Sequence, residues 1–175
     1  MSSPQFGPAS DRVFMVGSDD GQLQLVSTDL NGEAKRVHAQ GELVSEFSVA
    51  PDGRFFAFRQ NYEAFAMPLM PGGQMVSVSP DATALPVAKA SQGGADYIGW
   101  TDGGSTLTWS MGPDLYRAAL GDMFPAREPD DDTKFASPTD GISLSMTQRA
   151  AKPAGSIALI GARLLTMAGD GAGTI

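Results

Sequence analysis

Histidine is the side chain most often used as a general base or as a zinc ligand, and the chain contains a single one, His38. A catalytic zinc site usually draws three protein ligands from histidine and carboxylate, and a general-base histidine needs an orienting partner. His38 lies between basic Arg36 and polar Gln40, next to a predicted turn. We therefore expect His38 to be a surface residue, and we assign it no catalytic, cofactor-binding or metal-binding role.

Two acidic clusters carry the oxygen ligands that a hard cation prefers. They are Asp19-Asp20 and the aspartate run at 130–132. Neither has the alternating spacing and terminal glutamate of an EF-hand loop, so solvated loops are the simpler interpretation. The chain also lacks a Gly-x-Ser-x-Gly nucleophile motif and a glycine-rich phosphate loop ending in Lys-Ser/Thr. From the residue types and spacings we predict no catalytic, cofactor or metal site in this chain.

The composition narrows the range of partners and compartments. Cysteine is absent, which excludes disulfides and thiolate nucleophiles. The sequence therefore does not indicate whether the protein lies in an oxidising or a reducing compartment. A net charge of -8 disfavours a nucleic-acid partner. No apolar run approaches the roughly 18 residues of a membrane-spanning helix, and the first residues lack the basic and apolar regions of a signal peptide. We expect no nucleic acid and no membrane span, and we leave the localisation open.

The elements that would have to position any site are short strands joined by tight turns, which 21 glycines and 12 prolines favour over long helices. Two stretches repeat each other at an offset of 51 residues: FSVAPDGRFFAF (47–58) and IGWTDGGSTLTW (98–109). Apolar positions match apolar positions on both sides of the turn, and Gly53 matches Gly104. Each stretch predicts a strand, a turn and a strand, with Pro51 at the second position of a type I turn.

The repeat extends beyond the two hairpins. A third strand is predicted after each one, at 64–67 and 115–119, and residues 12–27 have the same strand, turn, strand form, as the end of a preceding unit. Phe56 and Phe58 fall on one face of their strand. A recurrence of antiparallel strands near 50 residues is typical of propeller blades. We predict an all-β fold, a partial β-propeller of about two and a half blades; a β-sandwich or barrel with similar hairpins is the alternative.

Large aromatic side chains and turn aspartates have both a functional and a structural interpretation. Aromatic rings on the strands could line a ligand groove, but their period-2 placement favours packing within the blades. Asp52 and Asp102 are expected to serve the turns and not catalysis. The aromatic residues concerned are Trp100, Trp109, Tyr62, Tyr97 and Tyr116.

The composition changes after Gly121. Three prolines and the acidic stretch 128–132 indicate a linker or surface loop, followed by candidate strands at 142–147 and 156–167. The residues at 170–175 form a turn that leads into an apolar residue. We expect the chain to be a fragment of a longer protein.

Three stretches, taken in order, give the chain a family resemblance. They are FRQNYEAFAMPL (58–69), GADYIGW (94–100) and GSIALIGARLLTM (155–167), and APDGR (50–54) adds a fourth match. The chain resembles, over residues 12–175, the junction in large microbial proteins where a TolB-like (WD40-like) propeller precedes a metal-dependent amidohydrolase. The resemblance implies three segments: 1–120, propeller blades; 121–154, a linker and connecting strand; 155–175, the start of the amidohydrolase β-sandwich subdomain.

The resemblance also implies an activity for the parent protein. In that family the Gly-Ala-Arg strand, here at 161–163, opens a β-sandwich beside a (β/α)8 barrel, and a metal-binding His-x-His follows further on. No position here matches the barrel's metal or catalytic residues, so we expect no cofactor in this chain and a divalent metal such as zinc in the barrel of the parent. The parent would hydrolyse amide or related C-N bonds of a small-molecule or peptide substrate, and we expect this chain alone to be inactive.

A second hypothesis is a self-standing, propeller-like binding module without enzyme activity. So few blades leave sheet edges open, which favours homo-oligomers or strand swapping. Members of the amidohydrolase family often carry export signals, which would place the parent in the periplasm or outside the cell.

Overall fold

The computed structural model describes residues 2–126 except 71 and 73, residues 135–152, and residues 154–156, 158, 160, 161, 163, 164, 173 and 174. The chain divides into two compact units, Met1–Ser145 and Met146–Ile175. Within the described residues, the helical segments fall short of the length and hydropathy that a membrane-crossing helix requires.

The first sheet is built from four consecutive strands in antiparallel order: β1 (Ser2–Phe6), β2 (Arg12–Asp19), β3 (Gln22–Asp29) and β4 (Arg36–Gly41). The β2–β3 hairpin turns at Asp20 and Gly21, as predicted for this unit, and its full register runs from Arg12 opposite Asp29 to Asp19 opposite Gln22. A short strand from later in the chain, β8 (Val76–Ser77), adds to β4 in parallel. The predicted end of a preceding unit is therefore part of a larger sheet.

The second and third sheets repeat one up-and-down order. The second contains β5 (Val44–Val49), β6 (Phe55–Gln60), β7 (Glu63–Pro68) and β9 (Ala88–Lys89). The third contains β10 (Asp96–Thr101), β11 (Thr106–Met111), β12 (Asp114–Ala119) and β13 (Ile142–Ser143). A 3₁₀ turn at Asp102–Gly104 joins β10 to β11, and the short helix α1 (Leu120–Met123) follows β12.

The 51-residue offset found in the sequence is a structural repeat. Strands β6 and β7, moved along the chain by 51 residues, coincide in their bounds with β11 and β12. The turn at Ala50–Gly53 is closed by a hydrogen bond from Gly53 N to Ala50 O at 2.8 Å, as expected for a type I turn with Pro51 at its second position. The predicted hairpins are therefore confirmed.

The three sheets are joined in series by two apolar cores. The first core contains residues of the first and second sheets, and the second contains residues of the second and third sheets. The two faces of β6 divide between them, as the alternation predicted: Phe56 and Phe58 enter the first core and Ala57 enters the second. Sheets of four antiparallel strands, formed in chain order and stacked face to face, are the blades of a β-propeller. The fold is all-β, a partial β-propeller.

The two faces of the second sheet differ in side-chain size, which fits them to their neighbours. The face toward the third sheet carries small residues, including Ala57, Ala64 and Ala66, none of which is exposed. The third sheet fills the space with Trp109, which is 1% exposed. Pairing small residues with a large one across an interface gives the interdigitation that close-packed cores require.

The turns between the first two strands of each sheet also pack on one another. A Cβ atom at Gly53 would lie 2.8 Å from Pro8 Cγ of the preceding sheet's turn. A Cβ atom at Gly104 would lie 3.2 Å from Pro51 Cδ. Both glycines have positive φ, 68° and 100°. The repeated glycine thus allows both a left-handed backbone and close contact with the turn of the preceding sheet.

The second half of the chain is described only in part. Of the strand predicted at 142–147, residues Ile142–Ser143 form β13, which pairs with β12 and completes the third sheet. In the second unit, β14 (Arg163–Leu164) pairs antiparallel with β15 (Gly173–Thr174). The rest of the strand predicted at 156–167 lies largely outside the described residues, as does the acidic run at 130–132. The boundaries 1–120, 121–154 and 155–175 stay a prediction.

Candidate functional site

His38 is a buried residue on a β-bulge, so its prediction as a surface residue is wrong. In the β3–β4 pair, Leu25 faces Ala39 while Val26 faces Val37, which leaves His38 as the extra residue. A bulge of this kind changes the direction of a side chain, and bulges are enriched beside functional sites. His38 is 6% exposed although Arg36, two residues earlier, is exposed. Sequence alternation alone gives no signal for such an insertion.

Ser27, on the neighbouring strand β3, holds the imidazole in place. Its Oγ lies 2.7 Å from His38 Nε2, and the rings of Phe14 and His38 have their centroids 5.1 Å apart. Arg12 braces the serine, since its Nε donates to Ser27 Oγ at 3.0 Å and its terminal nitrogen donates to the backbone oxygens of Ser27 and Ala34. Side chains of β2 and β3 therefore fix the ring of His38, which lies on β4.

This arrangement also selects the protonation state of His38. Burial, and then the positive charges of Arg12 and Arg36, hold the pKa of His38 below its ordinary value of 6.5, so the ring is neutral at pH 7. Ser27 is completely buried and its Oγ already accepts from Arg12 Nε, so we infer that its hydroxyl donates its proton to His38 Nε2, the other partner of Oγ in the described part of the chain. A neutral ring that accepts at Nε2 carries its proton at Nδ1. Nδ1–H is therefore a donor.

A cavity of about 230 Å³ opens beside the ring at the ends of the first and second sheets. Its charged lining residues are Asp11, Arg12 and Arg36, and His38 lines it as well. Among the described residues, Gln60 Oε1 is the fully buried side-chain nitrogen or oxygen atom that lacks a hydrogen-bond partner. His38 Nδ1 also lacks a partner among those residues, so this nitrogen is not fully buried. We refer to this cavity, lined by Asp11, Arg12, Arg36 and His38, as the His38 pocket.

The contact between Ser27 and His38 has the length of a nucleophile–base pair but cannot act as one on a substrate. A serine nucleophile must reach the substrate carbonyl, and Ser27 has no exposed surface. Its hydroxyl also accepts from Arg12 Nε at 3.0 Å, which fixes its lone pair. The Ser27–His38 contact therefore holds the imidazole ring and does not present the serine hydroxyl to a substrate.

The remaining candidate residues divide between turns, cores and surface. Asp52 accepts from the Arg54 backbone N–H at 3.0 Å, which confirms its place in the turn, and Asp102 begins the 3₁₀ turn. Asp19 and Asp20 are exposed around the β2–β3 turn. Among the described residues, no group of three or more His, Asp or Glu side chains is placed to hold a metal ion.

The five aromatic residues do not share one environment. Trp109 stacks on Tyr116 with ring centroids 5.9 Å apart, and Trp100 donates from Nε1 to Ser48 O at 3.3 Å, as blade packing predicts. Tyr62 and Tyr97 are 82% and 84% exposed, so the prediction that they pack inside the blades is wrong. Tyr62 sits in the β6–β7 turn, and Tyr97 lies where the β10–β11 register shifts.

Tyr62 and Leu43 are exposed apolar residues with strained backbones. Leu43, Tyr62 and Tyr97 have φ values of 56°, 68° and 53°, in the left-handed region that bulky residues rarely adopt. Leu43 and Tyr62 line one shallow pocket of about 360 Å³ together with Arg59 and Asp96, which form an ion pair. Backbone strain costs about 1–3 kcal/mol per residue and concentrates at binding sites.

Comparisons with known proteins give structural neighbours alone. No family model and no curated protein matches the chain. The chain is similar to the β-propeller domain of Cps50 (Swd1) from Myceliophteria thermophila, at 13% identity and a TM-score of 0.43, over 67% of this chain and 39% of that one. It is also similar to a protein from Lactobacillus plantarum, at 12% identity and a TM-score of 0.44, over 66% of this chain and 37% of that one. The chain spans less than two fifths of the length of either structure.

Proposed function

We propose that this chain is the propeller segment of a larger protein, that it acts as a scaffold and binding module, and that the parent is a metal-dependent amidohydrolase. The propeller-like fold suggests a scaffold or binding module. The observation that carries this part of the proposal is the stack of three sheets, in which the second sheet is covered on both faces by its neighbours.

The exposed surface around Leu43 and Tyr62 supports a binding role over a purely structural one. Tyrosine supplies a large contact area at low conformational cost and is enriched at interface hot spots. In a turn that served the fold alone, asparagine or glycine would meet the positive φ of 68° at Tyr62 without strain. Retaining a large exposed ring there fits a contact with another molecule.

The amidohydrolase parent is supported by the sequence resemblance over residues 12–175. The resemblance assigns residues 1–120 to the propeller and the GSIALIGARLLTM stretch at 155–167 to the first sandwich strand. In such a parent a divalent metal such as zinc would activate a water molecule that attacks an amide carbonyl. The substrate would be a small molecule or a peptide, bound outside this chain's own residues.

The test begins with the coding DNA on both sides of this segment. The proposal expects further blades upstream and a His-x-His motif downstream, and a purified parent that hydrolyses amides, stops when a chelator removes its metal, and recovers when zinc is returned. This chain alone should show no metal-dependent hydrolysis. Activity of the isolated chain, or flanking DNA without a His-x-His motif, would contradict the amidohydrolase parent.

The self-standing binding module remains the second candidate function, and the open edges of the sheets favour its oligomeric form. Strands β1, β5 and β10 each have one neighbour within their sheets, so each is an edge strand of its sheet. Size-exclusion chromatography with light scattering tests this form. A concentration-dependent dimer or higher oligomer would support pairing through the edges, and a monodisperse monomer at all concentrations would contradict it.

A further inference from the structure

The geometry points to the His38 pocket as a binding site for a small organic monocarboxylate, whose carboxylate meets the donors of His38, Arg12 and Arg36 and whose apolar body lies against Phe14. This site is independent of the parent's activity, because its residues lie in the first two blades.

The charge of the lining favours one negative charge on the ligand. Two guanidinium groups and the Asp11 carboxylate line the pocket, which leaves a single net positive charge when His38 is neutral. Arg12 and Arg36 form no ion pair within 4 Å in the described part of the chain, where the ion pairs are those of Arg54, Arg59 and Lys89. Two arginines without carboxylate partners at one cavity of a chain with net charge -8 are a local attraction for an anion.

The donors are fixed before a ligand arrives. Ser27 and Phe14 hold the His38 ring, and the Ser27 hydroxyl sets Nδ1 as its protonated nitrogen. Arg12 is held by its bonds to Ser27 and Ala34. A pre-set donor loses little conformational entropy on binding, so a small ligand can gain affinity there.

The uncharged walls favour an organic anion over inorganic phosphate. Pro8, Phe14 and Leu69 line the pocket beside the charged groups. About 230 Å³ is slightly below the usual range for drug-sized ligands, which suits a short carboxylate. A dianion such as phosphate would gain less, because Asp11 opposes a second negative charge and the walls offer it no polar partner.

The chain's single histidine allows a direct test on the full chain by NMR, since its imidazole signals need no assignment. Butyrate is titrated at constant ionic strength and pH, with butyramide as the neutral isostere and inorganic phosphate as the second anion. We expect a saturable shift of the His38 signals with butyrate, and no saturable shift with butyramide or phosphate. Equal shifts with butyrate and butyramide, or no saturable shift with butyrate, would overturn the proposal; saturation by phosphate alone would replace it with an inorganic anion site.

Two charge-matched variants identify the arginine. Arg36→Gln removes a guanidinium from the lining, and Lys35→Gln removes a positive charge from the neighbouring residue, which does not line the pocket. Both residues are exposed, so both variants should fold. The loss of a charge-assisted hydrogen bond predicts butyrate binding about tenfold weaker in Arg36→Gln, and unchanged binding in Lys35→Gln. Equal weakening in both variants would show a diffuse charge effect and would refute the contact.

Discussion

The contact between consecutive turns can be isolated by a matched pair of glycine substitutions. Gly53 and Gly21 have similar positive φ values, 68° and 77°. A Cβ atom at Gly53 meets Pro8 Cγ at 2.8 Å, whereas a Cβ atom at Gly21 meets nothing within 4 Å. Gly21→Ala therefore introduces backbone strain alone, whereas Gly53→Ala introduces the same backbone strain together with a steric conflict between blades.

The two costs separate by magnitude. A left-handed backbone costs an L-residue about 1–2 kcal/mol, and the lower entropy of the unfolded chain returns about 0.4–1 kcal/mol. Gly21→Ala should therefore destabilise by about 1 kcal/mol. Overpacking adds about 1–3 kcal/mol, which puts Gly53→Ala at about 2–4 kcal/mol. Urea unfolding measures both free energies, and an unchanged slope in urea shows that the unfolded state is the same.

A double-mutant cycle ties the difference to Pro8. Pro8→Ala removes the ring atom nearest to the new methyl group, so Gly53→Ala should cost less in that background. Gly104→Ala against Gly103→Ala repeats the comparison one blade later, because a Cβ atom at Gly103 also meets nothing within 4 Å. If Gly53→Ala and Gly21→Ala agree within about 0.5 kcal/mol, the turns do not stack and the blade contact is refuted.

Four further predictions concern buried and titrating groups. Phe58→Ala should destabilise by about 3–5 kcal/mol in urea unfolding, because the ring has no exposed surface; a cost below about 1 kcal/mol would refute the first core. Ser91→Ala should cost about 1–3 kcal/mol, because Ser91 Oγ accepts from Ala64 N at 2.8 Å and the buried N–H would lose its partner. Burial raises the pKa of Glu63, but hydrogen bonds, led by that from Ser91, outweigh burial and hold this pKa below 4.5. The urea midpoint of wild type should therefore exceed that of Glu63→Gln by its full amount above pH 4.5, and the difference should shrink as the pH falls through the lower pKa of the folded state. A difference that is the same at every pH would contradict this prediction. Burial disfavours the charged form of His38, so NMR should show its imidazole titrating below pH 6.5. The free energy of unfolding of wild type should therefore decline as the pH falls below 6.5. Titration at or above pH 6.5 would contradict the burial of His38.

The repeat was predictable because its signals are local. Pro51 and Gly53 fix a turn by backbone geometry, and the alternation around Phe56 and Phe58 fixes which face is buried. A structural shift of 51 residues between β6 and β11 follows from those same residues. The contact of Gly53 with Pro8 was not predictable, because it joins turns of different sheets and leaves no mark in local periodicity.

The errors share one physical cause, which is irregular register. Alternation assigns a face to each residue only while strands pair one to one, and a bulge or turn breaks that count. His38 was predicted to be exposed and is buried because it is the extra residue opposite Leu25 and Val26. Tyr97 was predicted to be buried and is exposed where the β10–β11 register shifts.

The same irregularities point to the two candidate binding surfaces. Regular pairing alternates side chains between the two cores, so a residue committed to a core cannot also present a polar group to a ligand. The bulge at His38 directs a polar ring between strands to a cavity lined by Arg12 and Arg36, and the left-handed residue Tyr62 places a large ring in solvent. Removing the bulge by deleting Val37 would restore one-to-one pairing between β3 and β4 while His38 stays in the chain. Butyrate binding should then be lost while the fold persists, and a deletion variant that folds and still binds butyrate with wild-type affinity would show that the bulge does not build the site.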